Sequence, residues 1–139
     1  MSPPYDHTKV DRSAYGAKRP VRGSVIALLD VVFQDRGLQL IETKSRALKK
    51  DEIHELMVTD EETGPGGGAD RVRPLAFFEV EDSGLVVVGD TVYLDGRPLG
   101  VLAGFDETHM PNHMNIVVKA PSLDPVEMAV GSKLEFKAG

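Results

Sequence analysis

The chain has 139 residues and contains neither cysteine nor tryptophan. Without cysteine it can form no disulfide, no thiolate nucleophile and no cysteine-based zinc or iron–sulfur site. Aromatic residues make up only 6% of the sequence, so stacking platforms for nucleic-acid bases or sugars are also scarce. These absences exclude thiol chemistry and disfavour recognition by stacking.

Positive charge and long apolar runs are also in short supply. The 22 acidic residues outnumber the 16 lysines and arginines, and the net charge of −6 argues against a general nucleic-acid binder. No apolar run approaches the roughly 20 residues that a membrane helix needs, and residues 1–18 lack the apolar core of a secretion signal. We therefore expect a soluble cytoplasmic protein with no nucleic-acid or membrane partner.

The composition fits one globular domain with a real core. Residues 1–18 are polar and without periodicity, which predicts a flexible arm, or one that orders only against a partner subunit. Residues 19–139 are predicted to form a single mainly-β domain. Within it, residues 60–70 combine four acids with Pro65 and three consecutive glycines, which predicts a disordered surface loop without a core.

Basic residues cluster locally in the first half of the chain. The simpler interpretation is a solvent-exposed face, and the more specific one is a surface that binds an anion or a partner. The residues concerned are Lys18, Arg19, Arg22, Lys44, Arg46, Lys49 and Lys50.

The first half of the domain begins with the longest apolar run, residues 24–33, which predicts a central strand. Asp35-Arg36-Gly37 predicts a tight loop that returns the chain as a hairpin partner over residues 38–41. Residues 45–57 are ambiguous, because Ser45 could cap a helix. A loop followed by a strand over residues 53–59 is favoured, since the apolar residues make a poor helical stripe.

From residue 72 onward the alternating pattern is β throughout. Asp95-Gly96 is a strong two-residue hairpin signal, and Asp124-Pro125-Val126-Glu127 predicts one capped helical turn. The fold class predicted is therefore all-β: a small antiparallel barrel or sandwich with one short helical turn near the C-terminus. The polar arm and the strand edges favour a homo-oligomer. The predicted strands cover residues 75–81, 85–88, 91–94, 98–105, 114–119 and 133–137.

Residues 104–115 concentrate the groups that can do chemistry, between two predicted strands. A turn at Pro111 would gather Glu107, His109 and His113 around one point, a possible set of ligands for zinc, iron or manganese. Without a metal, either histidine could act as an acid or base oriented by Glu107. In both cases the neighbouring polar side chains would contact the ligand: Asp106, Asn112 and Asn115. Alternatively these three simply build the turn, with the histidines capping or exposed.

Three further polar residues lie in apolar strands. Asp30 falls inside the longest apolar run, where it needs a partner such as Arg22 or Arg46, or a raised pKa that would suit catalysis. Glu79 and His54 share strand faces with apolar residues, so each is either a satisfied core group or part of the ligand site. Convergence of Asp30, Glu79 or His54 with the 106–115 turn would favour an enzyme.

Two segments resemble a known family. Residues 22–33 and 104–115 look similar to members of a small uncharacterised bacterial family, over residues 18–120. That resemblance implies no assigned activity. The glycine-led turns before strands are also similar to small barrel subunits that accompany larger enzymes, which is a likeness of fold alone.

The sequence thus leaves two hypotheses. The first is a protein that binds a small polar ligand or a divalent metal at the 106–115 turn, with acid–base or metal-assisted chemistry. The second is a non-catalytic accessory subunit or interaction module of a larger enzyme system.

Overall fold

The computed structural model describes residues 18–29 and 31–139, and in these residues every regular element is a strand. The predicted all-β class is confirmed. The prediction of a helical turn at residues 124–127 is wrong, because this stretch is irregular. In and beside it, the side chains of Leu123, Val126 and Met128 pack against the core. Among the described residues, none forms a helix that could span a membrane.

The strands follow one another closely along the chain. They are β1 (Val21–Leu28), β2 (Leu38–Gln39), β3 (Ser45–Leu48), β4 (Ile53–Thr59), β5 (Gly68–Ala69), β6 (Val72–Asp82), β7 (Gly84–Val87), β8 (Thr91–Leu94), β9 (Arg97–Asp106), β10 (Asn115–Lys119) and β11 (Lys133–Lys137). Residues 1–17, with the predicted arm, lie outside the described part.

Seven strands pair in the order β1-β11-β8-β9-β10-β4-β6, and because β6 pairs back onto β1 they form a closed barrel. All neighbours are antiparallel except β10 and β4, which run parallel. The prediction of a wholly antiparallel barrel or sandwich is therefore wrong for one pair of strands, β10 and β4. The reason is topological: the chain leaves β4, builds β6, β8 and β9, and only then brings β10 to the free edge of β4.

Two apolar clusters hold the barrel together. The larger one lies inside the ring and includes Leu56, Phe78, Phe105 and Phe136. Alternate residues of a strand point to opposite faces, so Met57 lies on the outer face, in a second, smaller cluster. This second cluster lies under β2 and β5 and comprises Leu38, Leu40, Met57, Ala69, Val72 and Val117.

The outer cluster explains two wrong predictions. Residues 38–41 were expected to pair with the first strand, but β2 pairs with β5 and β1 lies between β11 and β6. The loop at residues 60–70 was expected to form no core, yet Ala69 is buried in the cluster. Both short strands are held by the apolar side chains that they place against the outside of β4 and β10.

Two other local predictions are confirmed. Residues 53–59 form strand β4 with the predicted bounds, although Ser45–Leu48 is a strand paired with β7 and not a loop. Asp95 and Gly96 have φ angles of 50° and 80°, as a type I′ turn between β8 and β9 requires.

The longest apolar run behaves differently from the prediction. β1 ends at Leu28, and the side chains of Ile26, Leu28 and Val31 are each at least 40% exposed. The prediction of a central strand, buried on both faces over residues 24–33, is therefore wrong for the second half of this run. The physical reason is that β11 accompanies β1 only as far as Ser24, so the ring no longer encloses the chain beyond that point.

Candidate functional site

The 106–115 turn lies at one end of the barrel, where β9 ends and β10 begins. In the strand register Asp106 lies opposite Asn115, Asn115 opposite Glu55, and Glu55 opposite Phe77. Glu55 and Asn115 each lie two residues before a member of the outer cluster, so this row belongs to the outer face of the barrel. The turn therefore folds back over the outside of the sheet, and not into its core.

Asp106 anchors the start of the turn. Its carboxylate accepts hydrogen bonds from the backbone N–H of Thr108 (2.9 Å) and Gln39 (3.3 Å) and from the side-chain amide of Asn115 (3.3 Å). Burial opposes ionisation of this carboxyl, but the bonds from Thr108 and Gln39 outweigh burial, and the pKa of Asp106 is lowered. Its role is to fix the turn as an ionised acceptor.

Asn115 occupies the centre of the row and is fully buried. Its amide nitrogen donates to Asp106, while its side-chain oxygen is buried without a hydrogen-bond partner among the described residues. A buried acceptor without a donor is costly, so this oxygen is a place for an ordered water molecule or a ligand donor.

His113 and Glu55 form a histidine–carboxylate pair at the turn. The Nε2 atom of His113 lies 3.2 Å from a carboxylate oxygen of Glu55, and both side chains are largely buried. The rings of His113 and Phe77 form a T-shaped contact, with ring centroids 5.1 Å apart at 89°. On its other side the exposed ring of His109 lies 5.1 Å away. Because Nε2 must donate to the carboxylate, Nδ1 of His113 carries the available lone pair.

His54 joins the turn from β4. Its Nδ1 accepts a hydrogen bond from the backbone N–H of Met114 (3.1 Å), and its Nε2 lies 3.2 Å from Glu52. Burial lowers the pKa of His54, and the nearby His113 and Arg46 act in the same direction, against the contact with Glu52. The ring is therefore a neutral structural group with its proton on Nε2.

Glu107 does not take the role predicted for it. It forms an ion pair with Arg46 on the loop side of the turn. Because Arg46 holds this carboxylate, Glu107 does not orient either histidine. The three predicted metal ligands, Glu107, His109 and His113, form no ligand group, and no three histidine or carboxylate side chains in residues 18–29 and 31–139 do so.

The remaining predicted residues lie apart from this pair. Arg22, near the start of β1, binds Glu135 (2.7 Å) and Asp82 (3.2 Å) and not a residue of the 106–115 turn. Glu79 lies on the same strand as Phe77, two residues further along β6, where it is opposite Ile53. Asn112 is exposed and contributes its backbone N–H to the carbonyl of His109. Asp30 lies outside the described residues.

Much of the predicted basic cluster is paired with acids. Lys18 lies 2.9 Å from Asp90 in a buried ion pair, Arg22 binds two acids, and Arg46 binds Glu107. These three residues therefore do not form a free anion-binding surface.

Glu55 is the functional residue that sequence reasoning missed. The available signal was an ionisable residue directly after His54 in a strand that is otherwise apolar on both faces. Only the parallel pairing of β4 with β10, which brings Glu55 beside Asn115 and below His113, shows its partner.

Fold and site together define a small all-β protein, with a histidine–carboxylate pair on the outside of the sheet. Residues 15–137 match DUF6917, which is described as a family of unknown function. The chain belongs to this family, in agreement with the resemblance seen in the sequence. No curated protein and no solved structure matches the chain.

Proposed function

We propose that this protein binds a small polar ligand at the outer rim formed by the 106–115 turn and the start of β4, and that His113 exchanges a proton with it. The observation that carries the proposal is the contact of 3.2 Å between His113 and Glu55. A carboxylate on one imidazole nitrogen fixes the tautomer and leaves the other nitrogen as a base.

The surroundings support an acid–base role for this pair. Asp106 and His54 hold the two ends of the turn through backbone N–H groups, so the position of His113 does not depend on flexible side chains. The exposed ring of His109 lies beside the pair, where it can hydrogen-bond to a ligand. The unpaired oxygen of Asn115 adds an acceptor for a water molecule or a ligand donor. A rigid, partly buried pair beside an open surface is suited to binding polar groups.

Backbone NMR spectra test the binding directly. Acetate, succinate, ethanolamine and glycerol serve as anionic, cationic and neutral probes. We expect at least one of them to shift the amide signals of residues 53–56 and 106–115 together. His113→Ala and Glu55→Gln should remove the shifts, whereas Glu107→Gln, whose carboxylate is held by Arg46, should retain them. Shifts scattered over the surface, or unchanged in His113→Ala, would contradict the proposal.

Ester hydrolysis tests the proton chemistry. With p-nitrophenyl acetate, the free nitrogen of His113 takes a proton from a water molecule whose oxygen attacks the carbonyl carbon; p-nitrophenolate leaves, acetate is released, and the imidazolium returns its proton to the solvent. General-base and nucleophilic imidazoles typically contribute factors on the order of 100, so we expect His113→Ala to lose at least roughly tenfold of any rate above background. The matched variant Glu107→Gln changes a carboxylate of the same turn that Arg46 holds, and it should lose much less.

A divalent metal, zinc, iron or manganese, is the second candidate. The rings of His109 and His113 are 5.1 Å apart, and Glu55 contacts the second ring as carboxylates do behind metal-bound histidines. Among the described residues there is no third ligand, so water would have to complete the coordination. Stoichiometric binding of zinc or cobalt(II) that both His109→Ala and His113→Ala abolish would favour this candidate over a metal-free site.

A further inference from the structure

An apolar strip runs along the surface from Ile26 to Phe33. Five of the ten large hydrophobic side chains that are exposed among the described residues lie in this short segment. They are Ile26 (40% exposed), Leu28 (48%), Val31 (42%), Val32 (37%) and Phe33 (38%). Single exposed hydrophobic residues are normal, but five of them within eight residues of chain are typical of an interaction surface.

In residues 26–29 and 31–33, the described part of this 26–33 strip, the backbone is paired on one side only. On the β6 side, the N–H of Leu29 bonds to Leu75 and Phe33 forms a bridge with Val72. On the other side, β11 pairs with β1 up to Ser24, and bonds between Val25 and residues 131–132 follow. Beyond Val25, no strand within residues 18–29 and 31–139 pairs with that side. The strip thus begins as a strand edge in β1, up to Leu28, and continues beyond it as irregular chain with one bridge at Phe33; an open edge of this kind accepts another strand.

We propose that the occupant of this edge is the same strip of a second copy of this chain, related by a two-fold axis. Antiparallel pairing of an edge with its own copy places equal sets of aliphatic side chains opposite each other. Between residues 24 and 34 the sequence has one ionisable residue, Asp30, so a strongly charged partner would find nothing to pair with. The same strip of a second copy would bring a surface of the same apolar composition to this one.

The chain's own first 17 residues fit the strip poorly. Their large apolar side chains are few and widely spaced: Met1, Tyr5, Val10 and Tyr15. Charged residues lie between them, including Asp6, Lys9, Asp11 and Arg12. Burying this segment on an aliphatic strip would desolvate charges without partners, which is unfavourable. The second copy is the better complement.

Light scattering on the full chain tests the proposal. We expect the wild type to have twice the mass of one chain at micromolar concentration, and Leu28→Glu and Val31→Glu to have the mass of a single chain. Val101→Glu and Val130→Glu are matched controls, because these valines are 45% and 65% exposed elsewhere on the surface. The controls should remain dimeric. Circular dichroism shows whether each variant keeps the wild-type fold.

Disulfide trapping gives a second test, which does not require a substitution that destabilises the dimer. The chain has no cysteine, so a single introduced cysteine can form a disulfide only with another copy. Under mild oxidation, at least one of Leu28→Cys, Val31→Cys and Val32→Cys should give a covalent dimer at low protein concentration. Val101→Cys should not.

Three results would overturn the proposal. A monomeric wild type across the concentration range would exclude a stable dimer. A dimer that survives Leu28→Glu and Val31→Glu would place the contact elsewhere. A wild type that becomes dimeric only when residues 2–16 are deleted would show that this segment covers the strip. None of these results bears on the His113 site, which contains no residue of the strip.

Discussion

The backbone N–H of Met114 donates a hydrogen bond to Nδ1 of His54, 3.1 Å away, and the carbonyl of Met114 accepts one from the N–H of Glu55 (3.0 Å). This exchange joins the start of β4 to the end of the 106–115 turn. Because His113 precedes Met114, and Glu55 follows His54, the same contact sets the distance between the two members of the proposed reactive pair.

His54 should make folding stability depend on pH. Its pKa in the folded protein lies below the ordinary value of 6.5, chiefly because of burial, so the unfolded chain binds the proton more tightly. The stability contributed by neutral His54 is therefore present above pH 6.5 and is lost as the pH falls through the folded pKa. Urea unfolding at pH 8, 6.5, 5.5 and 5 should show a falling free energy of unfolding.

Two substitutions assign this pH dependence to His54. His54→Ala leaves the N–H of Met114 without an acceptor and should cost about 1–3 kcal/mol at pH 8. His54→Asn keeps an oxygen near the position of Nδ1 and should recover part of that loss. Both variants should have a flatter profile between pH 5 and 6.5. A profile as steep as that of the wild type would mean that another group is responsible.

Asp106→Asn should destabilise the turn from the other end. One carboxylate oxygen accepts from Gln39 and the other from Thr108 and Asn115, so the NH₂ group of the variant faces at least one donor in either orientation, at a cost of about 1–3 kcal/mol. Because the folded pKa of Asp106 is lowered from 3.8, its contribution is present above that pH and is lost as the pH falls further. Unfolding free energies at pH 7 measure the cost, and the variant should also lose part of the acid-dependent fall below pH 4. Asp124→Asn, on an exposed loop, serves as the control and should change neither quantity.

Gly100→Ala should weaken the pairing of β9 with β10. A Cβ atom at this position would lie 2.2 Å from the backbone carbonyl oxygen of Lys119, so one strand must shift. Overpacking of this kind typically costs about 1–3 kcal/mol, which thermal or urea unfolding measures. Gly64→Ala is the matched control, since a Cβ there meets nothing within 4 Å. Equal stability of the two variants would show that the strands relax without cost.

Local sequence signals predicted most of the strands. The alternation in residues 91–94 and 133–137 gave the bounds of β8 and β11, and Asp95-Gly96 gave the turn after β8. These elements depend on side-chain period and turn chemistry within a few residues, so they can be recognised without knowing the fold. The helical turn at 124–127 failed because an isolated turn has too few hydrogen bonds to persist, and apolar anchors at Leu123 and Val126 extend the chain.

The candidate site was only half visible in the sequence. The 106–115 turn identified His113, but the assigned carboxylate, Glu107, is bound to Arg46, and the partner of His113 is Glu55, more than 50 residues earlier. Spacing along the chain measures proximity only within one element. It gives no information about which distant strand lies beside the turn.

The amino-acid sequence by itself determined the all-β character, the positions of most strands and the turn where polar groups gather, because these follow from periodicity and turn residues. The tertiary structure alone decided the order of strands in the ring, the parallel contact of β4 with β10, and the exposure of residues 26–33. Those features arise from contacts between residues far apart in sequence, whose pairing is chosen by the burial of the whole apolar surface and not by any short segment.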